Sequence, residues 1–356
     1  MNKILEEDFK NIINSEAYLD KFNKCSILIT GATGLIGSVM TKFFIYLNET
    51  YDYDIQIYAL IRDTKKAKRV FGTKNIKMLH FIKGNLIDKS PLNIHNKIDY
   101  IIHTAAITDS KTLISKPVQA IEVSLNGTEK LLKIAVDKKI KSMVYISSME
   151  VYGQPHLDRK IVESDQGFID LTNPRSCYPE SKRMCECMCT AYASQFNVNV
   201  KIARLAQTFG AGVLPEDERV FAQFTKSIMN GQNLILHTEG KSEGNYVYTA
   251  DAIKAILLLL IKGEKGEAYN VVNENSHTTI KNMAKMIIKE FGDKTQKVII
   301  KLPNKNLGYA PEVHMNLSGE KLRMLNWIPK VGLIDSYRRL IKYNELESKK
   351  SHECKK

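Results

Sequence analysis

The sequence lacks long apolar runs, an export signal and a cysteine framework. Its most apolar stretch, residues 255–261 (AILLLLI), is far too short to span a bilayer. Residues 1–22 contain several acids and no apolar core of a signal peptide, which predicts a cytoplasmic protein. Six cysteines in 356 residues, with no export signal, do not indicate disulfides. One tryptophan and an apolar fraction of 44% are typical of an ordinary globular chain.

No single basic patch stands out, although the formal net charge is +13. The lysines are spread along the chain, with dense clusters only at residues 65–69 and 349–356. This distribution favours a solvated surface over a nucleic-acid site, and we expect neither nucleic acid nor a membrane as a partner. An overall positive field would still attract a small polyanion such as a nucleotide diphosphate.

A metal site is not expected either. Cys185, Cys187 and Cys189 alternate in RMCECMC, a segment that reads as helix. Alternate residues of a helix point in different directions, so these thiols are interpreted as small apolar packing groups.

A glycine-rich turn is the first motif that indicates chemistry. Residues 24–30 (KCSILIT) predict a buried strand, GATGLIG follows directly, and residues 38–47 predict a helix. Glycines between a buried strand and a helix permit a tight turn and a close approach of the backbone to a pyrophosphate. The predicted cofactor-binding residues of this turn are Gly31, Thr33, Gly34, Leu35, Ile36 and Gly37.

The second predicted strand, residues 55–61, ends in Arg62-Asp63. An acid at this point would bond the 2′-hydroxyl of NAD, whereas an arginine would favour the 2′-phosphate of NADP. Both are present and lysines follow, so NAD and NADP stay open with a slight preference for NADP. Further cofactor contacts are expected at the ends of strands 78–82 and 100–103, from Asn85, Leu86, Thr104, Ala105 and Ala106.

Strands and helices alternate throughout this half of the chain, which predicts an α/β fold with a doubly wound parallel sheet. Ligands bind such sheets beyond the carboxyl ends of the strands. The stretch SSMEVYG, residues 147–153, lies at the end of the predicted strand 142–146. Its hydroxyls, carboxylate and tyrosine are therefore candidates for a catalytic role.

A tyrosine and a lysine follow at helical spacing. Tyr178 and Lys182 are four residues apart in YPESK, which places both side chains on one helix face. A lysine ammonium beside the phenol is expected to lower its pKa, so that the tyrosine can act as a general base towards a sugar or alcohol hydroxyl. A serine at the facing strand end would hold the same oxygen.

These motifs together resemble the extended short-chain dehydrogenase/reductases that act on nucleotide sugars, the NAD-dependent epimerase/dehydratases. The resemblance runs from about residue 24 to about residue 343, through TGATGLIG, HTAA, NGTEKLL, ISSMEVYG, YPESK, ARLAQTFGAGV, YTADAIKAI and GEAYNV. It implies a catalytic triad of Ser148, Tyr178 and Lys182, with Lys182 also bonding the nicotinamide ribose. It further implies oxidation of a sugar at C4, rearrangement of the 4-keto sugar, and a homodimer.

Glu150 bears on which rearrangement follows. The family's 4,6-dehydratases carry Asp-Glu where this sequence has Met149-Glu150, and methionine cannot serve as the acid. The family's glucuronic acid decarboxylases keep the glutamate and carry an arginine that Arg175 matches. Glu150 can also bond a substrate hydroxyl, support proton exchange at C3 or C5, or only cap a turn. The predicted substrate-binding residues are Ser148, Met149, Glu150, Arg175 and Arg219.

Epimerisation is the simplest reaction under this resemblance. Decarboxylation, 4,6-dehydration and NADPH-dependent reduction of a 4-ketosugar stay open, as does a non-catalytic NAD(P)-binding sensor. In the family an arginine that binds the substrate diphosphate occupies the position of Gly244 here. Lys241 or Arg219 could substitute for it.

The domain organisation follows from the same reading. Residues 1–22 form a helical extension, and residues 23–204 with about 244–272 form a Rossmann domain. Residues 205–243 with 273–345 form a smaller substrate domain that interleaves with it. The basic tail, residues 346–356, is expected to be disordered.

Overall fold

The computed structural model describes residues 1–353 except 74, 89, 91, 93 and 303–311. Its strands are β1 (Ser26–Thr30), β2 (Gln56–Ile61), β3 (Leu79–Lys83), β4 (Tyr100–His103), β5 (Ser142–Ser148), β6 (Val200–Leu205), β7 (Gln207–Phe209), β8 (Leu234–Leu236), β9 (Glu243–Tyr248), β10 (Ala268–Val271), β11 (Asn273–Thr279) and β12 (Val298–Ile300). Its α-helices are α1 (Lys3–Ser15), α2 (Leu35–Tyr51), α3 (Thr64–Phe71), α4 (Ser110–Ser115), α5 (Pro117–Asp137), α6 (Cys177–Gln195), α7 (Val220–Met229), α8 (Thr249–Lys262), α9 (Ile280–Phe291), α10 (Glu320–Arg323) and α11 (Leu333–Glu353).

A seven-stranded parallel sheet forms the centre of the molecule, in the order β3-β2-β1-β4-β5-β6-β10. Every residue of β1, β4 and β6 is buried, as expected for strands with helices on both faces. The chain winds outwards in opposite directions from β1 and β4, which creates a crevice between their carboxyl ends. The predicted α/β doubly wound parallel sheet is confirmed.

Two smaller sheets lie in the second half of the chain, in the orders β11-β9-β7 and β12-β8. Strand β9 pairs with β7 and β11 and not with the seven-stranded sheet. This corrects the prediction that the Rossmann part resumes at about residue 244. The chain returns to the large sheet with α8, which packs against β5 and β6, and with β10.

The N-terminal extension is part of the main core. Asn2 caps α1 by accepting a hydrogen bond from the backbone N–H of Ile4 at 3.0 Å. Phe9 and Phe22 are fully buried, and the ring of Phe22 contacts that of Phe44 in α2 at 5.7 Å between centroids. The residues predicted to be an addition therefore complete the hydrophobic core.

The prediction of a disordered tail from residue 346 is wrong for the described residues. Helix α11 continues to Glu353 because its inner face packs against α1. Tyr343 is buried, and Asn2 donates hydrogen bonds to the Tyr343 carbonyl at 3.2 Å and to Glu347 Oε1 at 2.7 Å. Residues 354–356 of the predicted tail lie outside the described residues.

Candidate active site

The glycine turn between β1 and α2 leaves no room for side chains. Gly31 has φ +63°, and a Cβ there would lie 2.6 Å from Thr104 Oγ1. A Cβ on Gly37 would lie 2.3 Å from the Gly31 carbonyl oxygen. Gly34 precedes the first residue of α2, whose N-terminus favours negative charge. The turn therefore fits the pyrophosphate of a dinucleotide, with Thr33, Leu35 and Ile36 half-buried around it.

Arg62 and Asp63, the two residues that bear on the choice between NAD and NADP, directly follow β2. Asp63 Oδ1 caps α3 by accepting from the backbone N–H groups of Lys66 at 3.1 Å and Lys65 at 2.7 Å, and these bonds lower the pKa of Asp63. Arg62 is exposed and has no hydrogen bond or ion pair with any described residue. One carboxylate oxygen of Asp63 is thus engaged in capping, whereas the Arg62 guanidinium is free to meet a ligand.

The segments after β3 and β4 line the same edge of the sheet. Thr104 Oγ1 donates to the Thr30 carbonyl at 2.7 Å, and the Ala105 N–H donates to Thr30 Oγ1 at 3.3 Å, so the ends of β4 and β1 are tied together. Three further predicted contacts lie near this edge: half-buried Asn85 and Ala106, and buried Leu86.

The side chain of Leu86, a predicted cofactor contact, faces the helix α5. It lies 3.0 Å from the position that a Cβ on Gly127 of α5 would take, and it is buried. Leu86 therefore packs against α5, and its contact with a cofactor stays a prediction.

The structure brings Ser148, Tyr178 and Lys182 together. Ser148 ends β5, Tyr178 lies in the first turn of α6, and Lys182 follows one turn later. Ser148 is close enough to the Tyr178 phenol to lower its pKa, and Ser148 Oγ accepts a hydrogen bond from the backbone N–H of Glu150 at 3.2 Å. Lys182 Nζ lies 5.9 Å from the centroid of the Tyr178 ring and donates to the Ile146 carbonyl at 2.7 Å.

The electrostatics of the triad differ from the expectation. Burial, followed by the charge of Glu150, raises the pKa of Tyr178, and the interaction with the Ser148 hydroxyl opposes this rise only in part. Burial also lowers the pKa of Lys182 to about 8. The predicted depression of the phenol pKa by lysine is therefore wrong for the protein alone, because desolvation outweighs the attraction of a cation that is bonded elsewhere.

An ion pair borders the phenol. Arg175 Nη2 lies 3.0 Å from Glu150 Oε2, and the Arg175 guanidinium carbon lies 5.6 Å from the Tyr178 ring centroid. Burial raises the pKa of Glu150, and the positive charge of Arg175 opposes that rise. Arg175 Nε is buried and has no hydrogen-bond partner in the described part of the chain. Met149, between Ser148 and Glu150, is a buried apolar side chain.

Of the two cations proposed to replace a diphosphate-binding arginine, Arg219 is the one near the triad. It immediately precedes α7, donates to Asp217 Oδ2 at 2.6 Å, and is close enough to Tyr178 to lower the pKa of the phenol. Lys241 instead pairs with Glu239 at 2.5 Å on the exposed surface. Gly244 lies inside β9, near Met315.

The sequence interpretation missed one buried cluster beside the triad. Glu186 of α6 bonds Ser147 of β5 and Arg204 of β6. A signal was present, because an acid four residues after Lys182 falls on the same helix face between two buried cysteines. No group of three or more His, Cys, Asp or Glu side chains within the described ranges is placed to hold a metal ion.

Comparison with known proteins gives relatives with several related activities. The dTDP-D-glucose 4,6-dehydratase of Mus musculus is 28% identical over 317 residues, which cover 86% of this chain and 84% of the relative. The UDP-glucuronic acid decarboxylase 1 of Xenopus tropicalis is 26% identical over 277 residues, covering 78% and 63% respectively.

Solved structures share the fold. The UDP-glucose 4-epimerase of Thermotoga maritima superimposes with a TM-score of 0.75 at 21% identity and covers 91% of this chain and 99% of its own. The epimerase Mth375 of Methanothermobacter thermautotrophicus reaches 0.79 at 19% identity, with 98% of each chain covered. Within the part of the chain that the structure describes, no helix has the length and apolar character needed to cross a membrane.

The family comparison matches residues 27–272, which is more than half of the chain and includes the glycine turn and the triad. This protein therefore belongs to the NAD dependent epimerase/dehydratase family, as its motifs predicted.

Proposed function

We propose that this enzyme oxidises a nucleotide-linked sugar at C4 and reduces the 4-keto sugar from its other face, so that the 4-hydroxyl is epimerised. The observation that carries this proposal is the assembly of Ser148, Tyr178 and Lys182 beside a turn that fits a dinucleotide. NAD, the cofactor of the family, would supply the hydride acceptor when bound. Epimerisation needs no further acid or base.

Each member of the triad has one task in this reaction. Ser148 holds the sugar 4-hydroxyl next to the phenol, and Tyr178 takes its proton as the C4–H bond breaks. The same proton returns to the oxygen when C4 is reduced. Lys182 donates a hydrogen bond to the Ile146 carbonyl at 2.7 Å, and its positive charge favours the phenolate over the neutral phenol. Burial of Tyr178 keeps this exchange away from solvent.

The substrate is proposed to be a nucleoside diphosphate sugar, as for the relatives named above. Arg219 is the cation best placed to meet its phosphates, since it lies near Tyr178 and contacts Phe221 with its guanidinium carbon 4.6 Å from the ring centroid. The Arg219 guanidinium would then bind the ligand phosphates and Asp217 at the same time.

Decarboxylation of a nucleotide-linked hexuronic acid is the second candidate, and the Glu150–Arg175 pair favours it. A substrate carboxylate could take the place of Glu150 at the Arg175 guanidinium. After oxidation at C4, the bond from C5 to the carboxylate breaks, carbon dioxide leaves, and the electron pair passes to the C4 carbonyl as an enolate. Glu150 donates a proton to C5, which restores the 4-ketone for reduction by the hydride taken from C4. A carboxyl group whose pKa is raised is suited to that donation. Met149 offers no acid for loss of water, so a 4,6-dehydratase reaction is less well supported.

The deciding experiment is mass spectrometry of the products formed from UDP- and dTDP-sugars, including uronic acids, in deuterated water with NAD or NADPH. An unchanged mass with a shifted chromatographic peak and no deuterium at C5 supports epimerisation. Loss of carbon dioxide with deuterium at C5 supports decarboxylation. Loss of water contradicts both, and a gain of two hydrogens by an added 4-ketosugar, only with NADPH, identifies a reductase. No conversion on any substrate supports the sensor.

We propose that the active enzyme is a homodimer and that it is located in the cytoplasm. Exposed apolar side chains on α4, α5 and α6 support a subunit interface there: Ile114, Val118, Ile121 and Met184. Light scattering coupled to gel filtration would test it, because a monomer at micromolar concentration contradicts the proposal.

A further inference from the structure

A buried ion pair joins α6 to β6 beside the catalytic segment. The Glu186 carboxylate accepts hydrogen bonds from Arg204 Nε at 3.0 and 3.1 Å and from Arg204 Nη2 at 2.7 Å. Glu186 is 7% exposed and Arg204 is 9% exposed. Two buried charges in this bidentate contact would lose hydrogen bonds in almost any other arrangement. We therefore expect the pair to hold a fixed geometry.

This pair holds the beginning of the segment that carries Ser148. Ser147 Oγ donates to Glu186 Oε1 at 2.5 Å, and Ser147 lies opposite Arg204 in the register of β5 and β6. Since Ser148 is the next residue, the direction in which its hydroxyl leaves β5 depends on how Ser147 is fixed.

The pair also holds the end of the same segment. Arg204 Nη1 donates to Tyr152 Oη at 3.0 Å, and Tyr152 Oη donates to Asn270 Oδ1 at 2.6 Å. The Arg204 guanidinium carbon lies 5.0 Å from the centroid of the Tyr152 ring. Glu150 lies between these two anchored ends, in the short 3-10 helix Met149–Tyr152.

The third connection is to the helix that carries the base. Glu186 follows Lys182 by four residues and Tyr178 by eight, so the three side chains lie along one side of α6. One carboxylate thus fixes the strand that presents Ser148 relative to the helix that presents Tyr178 and Lys182.

We propose that Glu186 and Arg204 are positioning residues that set the approach of Ser148 and Glu150 to Tyr178. They act through Ser147 and Tyr152 and contact neither Ser148 nor Tyr178 by any hydrogen bond in the described structure. The proposal depends on the proposed function, because it concerns the geometry of that reaction. Small misplacement of reacting groups lowers the rate of the chemical step more than it weakens binding. Loss of the network is therefore expected to lower kcat and leave KM nearly unchanged.

Ser147→Ala and Tyr152→Phe test this with small changes, since each removes one hydroxyl and leaves the Glu186–Arg204 pair in place. Glu186→Gln removes the charge itself. The matched control is Ser142→Ala, a buried serine at the other end of β5 that accepts from Lys201 Nζ at 2.8 Å. We expect kcat to fall about tenfold in Ser147→Ala and in Tyr152→Phe, with KM within about twofold of wild type. Ser142→Ala should keep the wild-type kcat.

Amide hydrogen exchange over residues 147–153 provides a readout that needs no substrate. We expect faster exchange there in Ser147→Ala and Glu186→Gln than in Ser142→Ala, at unchanged exchange in β1 and β4. If the wild type converts no substrate, the proposed function fails but the exchange result still decides this inference. The inference would be overturned if residues 147–153 exchanged at the wild-type rate in Ser147→Ala and Glu186→Gln. A change in KM with kcat preserved in the hydroxyl variants would overturn it as well. If Glu186→Gln does not fold, the two hydroxyl variants decide the outcome.

Discussion

At the scale of single residues, the phenol of Tyr178 is the proposed general base. Tyr178→Phe removes only the hydroxyl and leaves the buried ring in place, so we expect turnover to fall about 10²- to 10⁴-fold with NAD affinity unchanged. Single-turnover kinetics and calorimetric titration with NAD measure the two quantities. Tyr46→Phe is the control, because Tyr46 Oη is buried and has no hydrogen-bond partner among the described residues. Turnover near the wild-type level in Tyr178→Phe would rule out a tyrosine-based mechanism.

Lys182 gives a prediction about stability and pH. Its pKa in the folded protein is about 8, below the ordinary 10.5, because burial disfavours the charged form. Between pH 8 and 10.5 the unfolded chain binds more protons than the folded one, so stability rises with pH in this window, and below pH 8 the fold carries the full cost of the buried charge.

Lys182→Met should therefore stabilise the protein at pH 7 while it abolishes turnover. Removal of the buried charge outweighs the lost hydrogen bond to Ile146, and we expect a net gain of about 1–2 kcal/mol at pH 7 that shrinks by pH 9.5. Urea unfolding of both proteins at the two pH values measures this. A variant that is less stable than wild type at pH 7 would show that Lys182 contributes to folding as well as to catalysis.

The sequence predicted that Ser148, Tyr178 and Lys182 lie near one another, but it did not predict their electrostatic state. The spacing of Tyr178 and Lys182, and the position of SSMEVYG after a strand, were sufficient to bring Ser148 to the phenol. The pKa of Tyr178 depends on how deeply the ring is buried, on Glu150 from the segment after β5, and on Arg175, which lies three residues before Tyr178. A contact between distant segments, such as that of Glu150 with Tyr178, has no local sequence signature. Glu186 was missed although its spacing of four residues from Lys182 in α6 gave one.

At the scale of elements, the β1–α2 turn depends on a glycine inside the first turn of a helix. Gly37→Ala would place a methyl group 2.3 Å from the backbone carbonyl of Gly31, which cannot move without displacing the turn. We expect a loss of about 1–3 kcal/mol in stability and at least tenfold weaker NAD binding. Gly332→Ala, just before α11, is the control, because its Cβ would meet no described atom within 4 Å. Equal NAD affinity in both variants would argue against this turn as the cofactor site.

The prediction was most accurate for the strands and turns whose structure is determined by their own local sequence. The buried runs of β1, β4 and β5 and the glycine turn are local patterns, and they appear in the structure at the predicted places. Strand β9 and the end of α11 were mispredicted because distant partners decide their state. β9 pairs with β7 and β11, which lie at a distance along the chain. Helix α11 extends to Glu353 and packs against α1, at the other end of the sequence. A lysine-rich sequence at the end of such a helix predicts a disordered tail when the helix that packs against it is not known.

At the scale of the whole molecule, the N-terminal extension and the last helix close the same hydrophobic core. Phe9, Phe43 in α2 and Tyr343 in α11 belong to one continuous cluster of buried side chains. Asp8 connects them through polar groups, since it accepts from Tyr248 Oη at 2.6 Å and pairs with Arg339 at 2.7 Å. The extension therefore contributes to the stability of the fold that carries the active site, although it lies outside the matched family region.

Phe9→Ala tests this directly. The Phe9 ring is fully buried, with its centroid 5.4 Å from that of Phe43 and 5.7 Å from that of Tyr46. Its removal should lower the free energy of unfolding by about 3–5 kcal/mol, a large share of the stability of a typical domain. Phe168→Ala makes the same chemical change at a side chain that is 68% exposed, and we expect a change within about 0.5 kcal/mol. Denaturant unfolding of the two variants measures the difference. Equal stability would mean that residues 1–22 are an appendage, whereas a large loss confined to Phe9→Ala would show that the catalytic fold requires them.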